Sequence, residues 1–131
     1  MLDLIIKNGK CYIDSELKDV DVAVKDGKIH QIGQISEEAK ETLNVEGQTV
    51  LPGCIDTQTH FREPGSTDTE DLHSGSRAAI VGGITSVFEM PNTNPPTSTK
   101  AEFQRKLDLA KNRMYCNYAF YFGATADNGN E

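Results

Sequence analysis

Hydrophobic and polar positions change period near Cys54. Before it, residues 2–7, 10–13, 19–25, 28–33, 42–45 and 48–51 are short runs in which apolar side chains recur at strand-like spacing, placing them on a shared face. Asp26-Gly27 between two of these runs is the signature of a two-residue hairpin loop. Residues 36–41 offer at most a helical turn. The pattern predicts a small β-rich lobe over residues 1–53, separate from the remainder of the chain.

From Cys54 the runs lengthen and alternate between two periods. Residues 54–61 form a strand. Thr69-Glu70-Asp71-Leu72 then opens a helix with acidic residues at its positive end, and Leu72, Ser76, Ala79 and Ile80 share its apolar face. Gly82-Gly83 ends that helix, and residues 84–90 are β-branched enough for a parallel strand covered on both faces. Thr99 with Glu102 makes a capping box for a second helix whose buried stripe is Phe103, Leu107 and Ala110. A third strand follows over residues 116–122. The order βαβαβ implies a parallel sheet with right-handed crossovers.

The chemistry is concentrated in one strand. Asp56, Gln58, His60 and Arg62 alternate with Thr57, Thr59 and Phe61, so one face carries a carboxylate, an amide, an imidazole and a guanidinium. Pro64-Gly65 stops the strand just beyond Arg62. Such a face serves either as the solvated side of an edge strand or as a metal-and-anion site. His60 is the strong metal donor, and the Arg62 fork suits a carboxylate unless a neighbouring acid pairs with it. Asp56 lies deeper and suits an orienting role, while Asn92 and the weaker candidate Asn94 follow the second strand in a Pro/Asn-rich loop. His30 and His73 read as surface histidines.

Phe61-Arg62-Glu63-Pro64-Gly65, Gly82-Gly83-Ile84-Thr85 and Met90-Pro91-Asn92-Thr93, in that order and spacing, resemble the N-terminal part of a dihydroorotase, a cyclic amidohydrolase of the amidohydrolase superfamily. The resemblance implies a small β-sandwich lobe, then the first βαβαβ portion of a TIM (β/α)8 barrel over residues 54–131. That barrel is incomplete here, because it needs about 250 residues. It also implies reversible hydrolysis of dihydroorotate to N-carbamoyl-aspartate in pyrimidine synthesis. Zinc would be held by His60, while Arg62 and Asn92 would grip the substrate carboxylate. Family members usually carry His-x-His on this strand, and here Gln58 replaces the first histidine, as a weaker oxygen donor to the metal or as a polar placeholder that no longer binds it. The family's general acid/base lies beyond Glu131, so this chain alone is expected to be inactive and to hold zinc weakly or not at all.

Composition narrows the partners. Thirteen Lys and Arg against twenty Asp and Glu give a net charge of −7, which disfavours nucleic acid and anionic membrane. An anionic small molecule fits Arg62 locally. Asp3 stands where a signal peptide would want a base, and Cys11, Cys54 and Cys116 read as small buried hydrophobes of a reducing compartment, which together suggest the cytoplasm. A homodimer, the rest of the barrel, or aspartate transcarbamoylase are the partners the resemblance implies. Two other readings stand beside dihydroorotase. One is a silent homologue acting as a scaffold. The other is an allantoinase or hydantoinase, against which Arg62 argues because those substrates lack a carboxylate.

Overall fold

The computed structural model describes residues 1–130. The chain divides into two compact units, Met1–Pro52 and a second beginning at Gly53. In the first, β1 (Leu2–Lys7), β4 (Asp21–Lys25), β5 (Lys28–Gly33) and β6 (Ala39–Asn44) form a sheet of order β5-β4-β1-β6. A second sheet has the order β3-β2-β7, from β2 (Lys10–Ile13), β3 (Glu16–Asp19) and β7 (Thr49–Val50). The hairpin at Asp26-Gly27 is present: Lys25 faces Lys28 across β4 and β5, and both loop residues have positive φ, 52° and 71°. Leu2, Ile5, Ala23 and Ile35 bury the core of this unit.

Two stretches of this unit are strand where the pattern showed none. Residues 36–41 make no helical turn, because β6 begins at Ala39 and pairs in parallel with β1. Glu16–Asp19 is a strand despite its charges, since it pairs back on β2 as a mostly exposed edge that needs no apolar face.

In the second unit β8 (Cys54–Thr59), β9 (Ile84–Glu89) and β10 (Asn117–Phe120) lie side by side in the order β10-β9-β8, and both pairings are parallel, as the βαβαβ order predicts. Helices α1 (Leu72–Val81) and α2 (Lys100–Ala110) pack on the sheet around Phe61, Leu72, Val87, Ala110 and Cys116. Strand ends are shorter than the sequence suggests. Leu72 and Ser76 are buried and Ala79 packs against the core, but Ile80 is 41% exposed. Cys54 is likewise exposed, whereas Cys11 and Cys116 are buried, and all three thiols are free. Among the described residues no helix is long and apolar enough to cross a membrane.

The helix starts follow local capping chemistry. For α1 the cap is Asp71, which accepts from Ser74 N at 2.6 Å while the Ser74 hydroxyl answers Asp71 N, so no acid occupies the first turn itself. For α2 only half of the expected box forms: Thr99 Oγ1 accepts from Glu102 N at 3.2 Å, and the Glu102 carboxylate turns to Arg105 instead. Thr99→Ala should therefore cost about 1 kcal/mol. Urea denaturation of the protein carrying this segment checks it, and an unchanged midpoint counts against the cap.

Candidate functional site

The site forms where β8 runs out. Its ladder to β9 closes at Thr59 opposite Glu89, and Met90 N then bonds Thr59 O at 2.9 Å. His60 and Arg62 consequently extend from the strand end and do not lie within it, a shift from the expected strand of 54–61. The alternation nonetheless persists past the ladder. Thr59 and Phe61 are buried, Gln58 and Arg62 are exposed, and His60 is half-buried.

A pocket of about 130 Å³ gathers His60, Arg62, Pro64, Asn92 and Asn94. His60 Nδ1 and Asn92 Oδ1 are 3.0 Å apart. An amide oxygen can only accept, so this contact puts the imidazole proton on Nδ1 and leaves the Nε2 lone pair open. The loop carrying Asn92 and Asn94 is tied to the Phe-Arg-Glu-Pro-Gly turn by Asn94 N to Pro64 O at 3.0 Å. Gly65 permits that approach: its φ is +125°, and a Cβ there would sit 3.0 Å from the Asn94 Cβ.

Arg62 has no hydrogen-bond or ion-pair partner among the described residues, and the neighbouring acid that was its local alternative is already used. Glu63 is buried and takes a two-pronged contact from Arg113, at 2.8 and 3.0 Å, while also accepting from Leu72 N at 3.0 Å. The motif thus splits its charges. Glu63 fastens the turn to the start of α1 and the end of α2, and the Arg62 guanidinium remains available at the pocket.

Gln58 and Asp56 do not join them. Asp56 Oδ1 accepts from Gln58 N at 2.9 Å, a local contact along its own strand, and neither residue lines the pocket. Among the described residues no group of three or more His, Cys, Asp or Glu side chains could hold a metal. A zinc site needs three or four protein donors. One imidazole and an amide that does not line the pocket do not meet that requirement, so these residues do not assemble a zinc centre among themselves.

Two charged pairs escaped the sequence reading: Glu63 with Arg113, and Glu89 with Lys106. Glu89 ends β9 and Lys106 lies on α2, both side chains 1% exposed, and their ion pair sits in the layer between sheet and helix. Burial pushes the Glu89 carboxyl up to about 7, against the pull of Lys106 and of Arg62. A signal was available, because Glu89 interrupts an otherwise uncharged strand and Lys106 sits within the apolar stripe between Phe103 and Ala110. A lone charge on each of two facing apolar surfaces points to a pair. His30 and His73 are exposed, as expected, and His73 Nε2 lies 3.2 Å from the Tyr115 hydroxyl.

Known proteins resemble this chain throughout. The allantoinase of Escherichia coli O1:K1 / APEC is 43% identical over 127 residues, covering 96% of this chain and 28% of the relative. The L-hydantoinase (dihydropyrimidinase) of Arthrobacter aurescens superposes with a TM-score of 0.89 at 33% identity, over 98% of this chain and 29% of that structure. The D-hydantoinase (dihydropyrimidinase) of Thermus sp. does so with a TM-score of 0.77 at 27% identity, over 92% of this chain and 27% of its own. This chain therefore spans under a third of the length of these relatives. Residues 49–128, which include the strand end, both pocket loops and both helices, match the amidohydrolase family, and the chain belongs to that family.

Proposed function

We propose that the protein carrying this segment hydrolyses a cyclic amide, with an allantoin- or hydantoin-type ring as substrate. The likeness to an allantoinase across 96% of the chain supports that ring class over the dihydroorotate expected from the motifs alone. The observation that carries the reading is the convergence of His60, Arg62 and Asn92 on one pocket at the ends of parallel strands, where α/β enzymes place their chemistry. In this reaction water adds to a ring carbonyl and the carbon–nitrogen bond breaks; one of the water's protons goes to the ring nitrogen and the other to solvent as the carboxylate forms. Asn92 holds the His60 ring in one tautomer, and Arg62 binds the oxygen-rich edge of the substrate or the product carboxylate. Zinc, if the whole protein uses it, takes its remaining ligands from residues outside this segment. The test is turnover of allantoin, hydantoin and dihydroorotate by the full-length protein. Absence of ring opening with all three would overturn the proposal, and opening of dihydroorotate alone would overturn its ring class in favour of the second reading.

Dihydroorotase remains a second reading because one observation favours it: the unpaired Arg62 fork lies beside Asn92 in the same pocket. The two readings separate on Arg62 variants. If the substrate carries a carboxylate, Arg62→Met should raise its KM about tenfold or more, since a charge-assisted contact contributes about 1.5 to 3 kcal/mol. Arg62→Lys should recover only part of this, because it keeps the charge and loses the fork. For a neutral ring the loss should be smaller. Melting temperature should stay unchanged in either case, and a marked drop would make Arg62 a structural residue.

A further inference from the structure

We infer that Lys106 is a positioning residue for the pocket, fixing from helix α2 the end of β9 and thereby the placement of Asn92 against His60. The inference rests on the cyclic-amide reading for its consequence on turnover and on geometry for everything else. Besides its ion pair with Glu89, Lys106 Nζ donates to Met90 O at 3.3 Å. It also lies 5.4 Å from the centre of the Phe120 ring, so one ammonium ties α2 to the ends of β9 and β10. Met90 is held through both of its backbone polar groups, its N–H by Thr59 O and its C=O by Lys106. Thr59 immediately precedes His60, and Asn92 lies two residues beyond Met90. The two residues that share the 3.0 Å contact in the pocket therefore leave adjacent strand ends that the Met90 N–H to Thr59 O bond ties together, with the Met90 carbonyl held in turn by Lys106.

Stability alone is a weak reason to put a charge pair there. A well-packed apolar pair of similar volume generally holds a fold as well or better, whereas a buried charge left without its partner is costly. Beyond the Lys106 ion pair, the Glu89 carboxylate oxygens have no hydrogen-bond partner among the described residues, so this pair is not optimised as a hydrogen-bonded unit. What an apolar pair cannot supply is the directed bond to Met90 O.

The experiment compares the full-length wild type, Lys106→Met, and the double variant Glu89→Leu/Lys106→Met, which leaves no buried charge behind. Melting temperature, kcat and KM on the ring substrate that the wild type turns over, and the 15N signals of His60 are read in each. The His60 signals are identified by their loss in His60→Gln. The double variant should melt close to wild type, yet its kcat should fall about tenfold and the His60 Nδ1 signal should move toward that of an unbonded imidazole. A double variant that melts, turns over and resonates like wild type overturns the inference. So does one that fails to fold, since the pair would then be serving the fold. If the wild type opens no ring, a shifted His60 signal in a folded double variant still upholds Lys106 while the cyclic-amide reading falls.

Discussion

Glu63→Ala should lower the stability of the protein carrying this segment by about 3 kcal/mol, the larger of two packing effects the second unit exposes to test. The substitution removes three contacts at once. Leu72 N, at the buried start of α1, loses its acceptor at 3.0 Å, and an unsatisfied buried amide costs about 1 to 3 kcal/mol. Arg113 loses both prongs, but its side chain is 36% exposed, so solvent recovers much of its charge and the ion pair itself contributes little more than about 1 kcal/mol. Glu63→Gln separates the two contributions, because an amide oxygen can still accept from Leu72 N; it should cost roughly half as much. Urea denaturation gives both values. Should Glu63→Ala unfold at the wild-type midpoint, the clamp is not holding the turn, and the explanation for Arg62 standing free loses its basis.

Gly75→Ala should destabilise by about 2 kcal/mol, although alanine is the better helix former by about 1 kcal/mol. A Cβ at residue 75 would fall 2.4 and 2.6 Å from Phe61 Cδ1 and Cε1, far inside contact distance. Phe61 is 6% exposed and belongs to the core beneath the sheet, so the ring has little room to withdraw. Overpacking of this kind costs about 1 to 3 kcal/mol before the helix gain is subtracted, and the top of that range applies where an aromatic ring is pinned. Because Phe61 stands between His60 and Arg62 in the chain, ring movement should reach the pocket and reduce kcat/KM as well. A rise in melting temperature would show that propensity outweighs the contact, and that α1 does not seat on Phe61 in the way the close approach requires.

The sequence by itself determined the change of period at Cys54, the hairpin at Asp26-Gly27 and the three parallel strands with their two helices, and it singled out His60, Arg62 and Asn92, which the fold brings to one pocket, along with Gln58 and Asp56, which it does not. These are matters of local spacing, turn chemistry and motif order, which short stretches of chain carry intact. Substrate class was not determined the same way. Arg62 and Asn92 pointed toward a carboxylate, whereas the relatives found across the whole segment are an allantoinase and hydantoinases. Tertiary structure alone decided which charges are spent and which are free. Glu63 reaches Arg113 fifty residues away, and Glu89 meets Lys106 across the sheet–helix layer. Strand limits were also tertiary, since β8 stops at Thr59 where its partner β9 stops pairing, and that end is what delivers His60 and Arg62 into the pocket. Periodicity can say which face a side chain takes, but the partner that satisfies a buried charge is set by how helices lie on the sheet, and no local pattern encodes that.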